Sequence, residues 1–239
     1  MTFTTTYTGI WGFDLFRSVD VNAPLPPLYT LRSNPAISTD RQIQSAGRSR
    51  SEALTLAMRG KVSHYFDGMV QYTLGRSFDN TEGVNWFPAN QYDQTGEWSR
   101  SDLDARHSVN AHGTFHAGAL FTLGIALSAH SGLPYTVTTG TDDFGTTFAN
   151  ARPPGVPRNS LQGPGAIMLD MRLARDFALH ASKKKDTEGP TLTLALDAFN
   201  VLNHVNFGPP VGDLTSPFFG QPITATSARR LQVSLGFQF

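Results

Sequence analysis

The 239-residue sequence contains no cysteine. Structural disulfides, Cys-ligated zinc, iron–sulfur clusters and thiol catalysis are therefore excluded within this chain. Charge is scarce as well: Asp, Glu, Lys and Arg make up 16% of the residues, against roughly 25% in ordinary soluble domains. The 19 basic residues balance 19 acidic ones, so the basic footprint of a nucleic-acid binder is missing and no nucleic-acid partner is expected. Long apolar runs are missing too, with no stretch near the roughly 20 residues of a membrane helix. The opening residues 1–8 lack a basic region followed by an apolar run, so they do not read as a signal peptide. No Ser/His/Asp set occurs in a nucleophile-elbow context, and no Gly-rich phosphate loop leads into a helix. The expectation is a chain that is not an enzyme and carries no cofactor.

What the sequence has instead is glycine (22), proline (15) and phenylalanine (17), the composition of many strands separated by turns and loops. The last residues show the pattern most clearly. Leu231, Val233, Leu235, Phe237 and Phe239 alternate with Gln232, Ser234, Gly236 and Gln238. Side chains alternate across a strand, so this is a strand with one apolar and one polar face. A soluble protein rarely ends on such an edge, whereas an outer-membrane barrel strand faces lipid on one side. Similar patterns place strands at residues 2–12, 44–59, 66–78, 104–116, around 121–129, at 166–178, at 190–202 and at the end of the chain, with a short extended piece at 134–139. The count is eight. Short connections (60–65, 116–118, 179–189) alternate with long ones (13–43, 79–103, 132–165, 203–227). That sorting by length is the layout of an all-β, antiparallel, up-and-down transmembrane β-barrel, with short turns on the periplasmic side and long loops outside. Phe239 then lies at the periplasmic end. The alternatives are a stand-alone eight-stranded barrel acting as a surface binding protein or anchor, and a soluble β-sandwich binding domain.

Charged residues on strand faces are the first site candidates. Asp104, Arg106, Asp170, Arg172, Asp176 and Asp197 lie opposite apolar faces. A basic residue facing mid-bilayer lipid costs about 2–4 kcal/mol, so these six are expected to face the lumen. The histidines offer little for a metal: His112 and His116 share a face but lie four residues apart, roughly 13 Å, and His107 is on the opposite face. Asp142-Asp143-Phe144-Gly145 lacks the spaced oxygen ligands of a calcium loop and reads as a loop tip. Lys183-Lys184-Lys185 reads as a solvated charge run in a short turn.

Several segments resemble a known group. Ser101-Asp102-Leu103-Asp104-Ala105-Arg106-His107-Ser108 is similar to the "SDxDxRH" segment of TonB-dependent outer-membrane receptors, more narrowly the Oar-like receptors with an amino-terminal carboxypeptidase-regulatory-like domain. Residues 72–80, 131–136, 152–160, 196–204 and 229–232 resemble further segments of that group, in the same order. The resemblance implies the carboxyl-terminal third of a barrel of about 22 strands, located in a Gram-negative-type outer membrane. The plug domain, the TonB-contacting segment and the signal peptide would lie outside residues 1–239. It implies uptake of a scarce extracellular ligand, such as an iron chelate, a glycan or a peptide. Its partners would be outer-membrane lipid, the barrel-assembly machinery, and TonB acting through the amino-terminal part. It also implies that Leu231, Val233, Leu235, Phe237 and Phe239 form the barrel-assembly signal.

Overall fold

A computed structural model of the chain describes residues 1–118, 120–179 and 189–239. Its elements are β1 (Thr2–Asp20), β2 (Arg41–Lys61), β3 (Phe66–Asp79), β4 (Ser99–Arg100), β5 (His107–His116), β6 (Thr122–His130), β7 (Pro134–Tyr135), β8 (Leu161–Gln162), β9 (Ala166–Ala178), β10 (Thr191–Phe199) and β11 (Arg230–Gln238). Eight long strands form one antiparallel sheet in the order β1-β2-β3-β5-β6-β9-β10-β11, with β4 also paired to β3. Every neighbour in that order is also the next long strand in sequence, so the sheet is a simple meander. Among the described residues there is no helix, and none long and apolar enough to cross a membrane.

The register carries the apolar alternation unbroken from strand to strand. Tyr7 lies opposite Leu54, which lies opposite Leu74. Met58, Val70, Ala111, Leu127 and Leu169 form one such row. Leu173, Leu196 and Val233 form another. The opposite face holds Thr55, Thr73 and Ser108, or Arg172, Asp197 and Gln232 in the corresponding rows. A one-residue slip anywhere would turn a strand's apolar set to the wrong face, so the two-faced pattern fixes the register of all eight strands. The apolar face is uncovered: Val233 is 71% exposed and Phe3 67%. A soluble sandwich would lay a second sheet over it, but the second sheet here is the two-residue pair β7–β8. That removes the sandwich alternative. Among the described residues β1 pairs only with β2 and β11 only with β10. The meander does not close on itself, which also counts against a stand-alone eight-stranded barrel.

Four strand limits and one short extended piece differ from expectation. β1 runs to Asp20 rather than residue 12, and β2 begins at Arg41 rather than 44. A bulge between Gly12 and Phe16 shifts the phase of the alternation and hides the rest of the strand. Asp14 takes φ 55° there, and a Cβ on the facing Gly47 would meet the Leu15 carbonyl oxygen at 2.9 Å. β5 begins at His107 rather than 104. β10 stops at Phe199 rather than 202, because Asn200 turns the chain with φ 51°. The extended piece at 134–139 shrinks to Pro134–Tyr135. The turn at 116–118 closes through Ala117 N–H to Phe121 O. The Lys183-Lys184-Lys185 run lies outside the described residues.

Candidate functional site: the cap at the long-loop end

β1, β3, β6 and β10 end where β2, β4, β9 and β11 begin, so all four long connections gather at one end of the sheet. Among the described residues nearly every buried side chain is there, and most are polar. Asp20, 2% exposed, accepts the backbone N–H groups of Asn22 and Asp40 and the Arg32 guanidinium at 3.0 Å. Arg32 also donates to Gly145 O, which ties the first long loop to the third. Asn22 donates to Asn34 O and Ile37 O and accepts from Asn34 N–H, closing the first loop upon itself.

The second and third loops are joined by two buried arginines through three ion pairs. Arg158, fully buried, binds Asp79 at the end of β3 and Glu82 at 2.6 Å, and donates to Asp79 O as well. Burial works against the Arg158 charge, yet the two carboxylates beside it hold its pKa above the ordinary arginine value. Burial pushes Glu82 above the usual carboxylate range, with the Arg158 contact opposing that rise. Arg152 binds Glu97 at 2.7 Å, and the same Glu97 oxygen accepts Ala89 N–H. Removing one partner of a buried pair leaves an uncompensated charge and costs about 3–5 kcal/mol. These contacts therefore hold the loops in one arrangement.

That arrangement encloses a cleft of about 490 Å³ lined by Asn90, Asp93, Thr95, Phe144, Arg152 and Pro157, among others. Its size and its mix of an aromatic, prolines and a few polar groups fit a small-molecule site. The Thr95 hydroxyl and N–H hydrogen-bond the Asp93 carboxylate and hold its pKa below the ordinary aspartate value.

The segments singled out in the sequence are the stitching of this cap. Residues 101–106 loop out of the ladder between β4 and β5, both of which pair with β3. Asp104 fills the gap: one oxygen accepts Ser77 N–H at 2.8 Å and the other accepts Arg100 Nε at 2.7 Å. Asp104, 1% exposed, is thus a buried ladder plug rather than a residue on the polar strand face. Arg106 also precedes the strand, and its carbonyl accepts Gly75 N–H. In the 196–204 segment, the Asn200 side chain donates to His204 O and Ser227 O, and its backbone N–H donates to the Asp170 carboxylate. Asn206 both donates to and accepts from the Ile167 backbone. Asp142 caps Thr146 and Thr147 N–H, which makes 142–147 a self-closed turn.

Asp170, Arg172, Asp176 and Asp197 do share the polar face. Arg172 reaches both Asp197 oxygens at 2.8 and 2.9 Å, and Asp176 accepts the Thr193 hydroxyl. Leu231, Val233, Leu235 and Phe237 all lie on the apolar face opposite β10, and the Phe237 and Phe239 rings are 5.8 Å apart. His107 Nδ1 meets Tyr72 Oη at 2.8 Å, and no group of three metal-ligating side chains occurs among the described residues. Sequence reasoning singled out no role for Arg158, Glu97, Asn200 or Asn206, although the motifs at 152–160 and 196–204 contain Arg158 and Asn200. Asp20 and Asn22 gave no signal, because a loop buried by its own side chains has no periodicity.

The comparisons with known proteins agree with this architecture. A family model described as "Outer membrane beta barrel domain" matches residues 1–156 and 146–232. The crystal structure of the outer membrane transporter YddB from Escherichia coli superposes with a TM-score of 0.57 at 14% sequence identity, over 98% of this chain and 29% of that one. The chain thus spans under a third of the length of that transporter, and at this identity the likeness shows the fold. A comparison with the curated proteins finds no match. With a family model covering both parts of an antiparallel meander whose apolar face is uncovered, the chain belongs to the outer membrane beta barrel domain family.

Proposed function

We propose that this chain is the carboxyl-terminal arc of a TonB-dependent outer-membrane receptor of the Oar-like group, taking up a scarce ligand such as an iron chelate, a glycan or a peptide. The carrying observation is the cap. Buried ion pairs join the β3–β4 and β6–β9 connections beside a cleft of about 490 Å³, and the Arg32 hydrogen bond to Gly145 O ties the β1–β2 connection to them, which is what rigid capture of a small ligand needs. Among the described residues the outer edges of β1 and β11 have no partner strand, which supports an arc of a larger, 22-stranded wall. In that wall the apolar face meets outer-membrane lipid and the polar face, with Asp170, Arg172, Asp176 and Asp197, lines the lumen against a plug. The cap is then extracellular, and Phe239 lies on the periplasmic side. Leu231, Val233, Leu235, Phe237 and Phe239 serve as the strand read by the barrel-assembly machinery. Contact with TonB is made by an amino-terminal part, transport energy comes from outside the barrel, and the chain carries out no bond chemistry and needs no cofactor.

The test is uptake by cells of labelled ferric chelates, oligosaccharides and peptides, with and without this gene. At least one class should enter only when the gene is present, and a protonophore or loss of TonB should abolish that entry. Entry that persists without TonB would leave a passive barrel; no gene-dependent entry of any class would overturn transport.

A further inference from the structure

We infer that the upper rim of the apolar face carries a binding site for the phosphate of an outer-leaflet lipid headgroup, formed by Arg50 and Arg76. This rests on the apolar face being the lipid face, as proposed above. Arg50 and Glu52 on β2, and Arg76 on β3, lie on the same face as Leu54, Leu56 and Leu74, with Glu52 opposite Arg76 and Arg50 opposite Phe78. One carboxylate organises both guanidiniums. Glu52 Oε1 accepts Arg50 Nε at 3.1 Å and Nη2 at 2.5 Å. Glu52 Oε2 accepts Arg76 Nε at 2.8 Å and Nη2 at 2.7 Å. The carboxylate is covered while about half of each arginine side chain stays exposed. The set keeps an excess positive charge, and by alternation Arg48 adds another one step further up.

Position decides what this charge meets. From Gly60 to Arg50, β2 climbs about 25 Å at the usual rise of ~3.4 Å per residue and tilt of ~40°. That is the height of the apolar band, so the trio stands where acyl chains give way to headgroups. An arginine at mid-bilayer is costly, but near the interface the cost falls to about 0–1 kcal/mol. Aromatic side chains mark the same level. Trp11 lies opposite Arg50, Tyr72, two same-face rows below Arg76, reaches up to His107 in the row between, and Phe78 and Trp98 join Arg50, Glu52 and Arg76 around a hollow of about 220 Å³. Guanidinium forks match phosphate oxygens in pairs, and the leucines beneath would receive the acyl chains of the same molecule. A lipid phosphate therefore satisfies both halves of the surface, whereas a free phosphate satisfies one.

The protein, purified from outer membranes in mild detergent, is incubated with bis-phosphorylated lipid A or with a dephosphorylated form bearing the same acyl chains, and retained lipid is read by native mass spectrometry. The wild type should retain the phosphorylated form at least tenfold better. R50Q/R76Q should lower that preference at least fivefold while keeping retention of the dephosphorylated form. E52Q keeps both guanidiniums and removes the competing anion, so its preference should equal or exceed that of the wild type. R175Q, at the opposite end of the same face, should match the wild type. Inorganic phosphate at low millimolar concentration should not displace the lipid; displacement would make this a free-phosphate site and overturn the lipid assignment. An unchanged preference in R50Q/R76Q, a loss in E52Q, or an equal loss in R175Q would each overturn the proposal. Quenching of Trp11 by brominated acyl chains, with Trp86 and Trp98 replaced by Phe, separates the two readings. No quenching sinks the lipid face itself; quenching without a phosphate preference sinks only this site.

Discussion

In the wall of the molecule the large apolar side chains point outward and stay exposed, Val233 at 71% and Leu235 at 69%. In the cap the largest fully buried side chains are Arg158, Glu97, Asn206 and Asp104. A water-soluble domain would show the reverse in both places. The wall needs no interior of its own, because its ladder satisfies the backbone and its apolar face is suited to lipid. The cap has little apolar material to bury, so it is held by directed contacts between specific partners. One region thus rests on a repeating pattern that tolerates exchange of one apolar residue for another, and the other on individual pairs that do not.

The largest effect should come from the cap. Arg158→Ala leaves Asp79 and Glu82 without their cation, at a cost of about 3–5 kcal/mol. The expected result is loss of loop order with the wall intact: rapid protease nicking within residues 80–98 and 131–160, and an unchanged β-sheet circular dichroism signal. Coincident loss of both signals would show that cap and wall are one cooperative unit and break the comparison.

In the wall the matching experiment changes a face rather than a pair. Ile125 on β6 lies in the apolar row with Met171, and Ile125→Arg should cost about 2–4 kcal/mol near mid-bilayer. Ser128, three residues on and on the polar face opposite Asn110, should accept the same charge with little change. The measurement is the fraction of each variant assembled into outer membranes. Equal assembly of the two would mean that the faces do not differ in environment.

This division also explains what could be read before the fold was known. The wall was legible because alternation is a local signal that survives without tertiary information: the terminal strand and its apolar residues Leu231 to Phe237 stand where the pattern put them. It failed where the period broke. The bulge at Leu15 hid residues 13–20, and residues 104–106 looked like strand because Asp104 continues the polar and apolar alternation of β5. The cap was legible only as loop length and as short motifs. Nothing local tells that Arg158 will meet Asp79, 79 residues away in sequence. Pairing of that kind is specified by the folded wall, which brings the two loops together.

A third test asks whether the cap's backbone is as particular as its ion pairs. A Cβ on Gly132 would sit 1.7 Å from Gly163 O, between the segments that form β7 and β8. Gly132→Ala must therefore displace the backbone, at about 1–3 kcal/mol. It should raise hydrogen exchange at Gly163 N–H, which bonds Leu133 O, and leave the amides of β9 protected. A smaller effect is expected on the polar face. The Arg172 side chain is 52% exposed beside Asp197, and exposed pairs contribute about 0–1 kcal/mol. Arg172→Gln should leave heat stability nearly unchanged, and a large loss would show that the polar face is packed against something that buries it.

The finest distinction lies inside the Arg158 cluster. Glu82 has its pKa raised, burial outweighing the pull of Arg158, so the folded cap binds this proton more tightly than the unfolded chain does. A raised folded pKa contributes stability that is complete below the ordinary glutamate pKa of about 4.3 and is lost as pH rises through the folded value. Glu82→Gln keeps an oxygen to accept from Arg158 Nη1 and removes the ionisation. Protease resistance of the wild-type cap should therefore decline relative to the variant as pH is raised out of the ordinary glutamate range, and the difference should level off once Glu82 is ionised. Near neutral pH the variant should be far closer to wild type than Arg158→Ala is, because Asp79 still balances the buried guanidinium. A variant as fragile as Arg158→Ala would show that Arg158 depends on both carboxylates equally, and the cap would then be held by a charge triad rather than by a pair with an auxiliary acceptor.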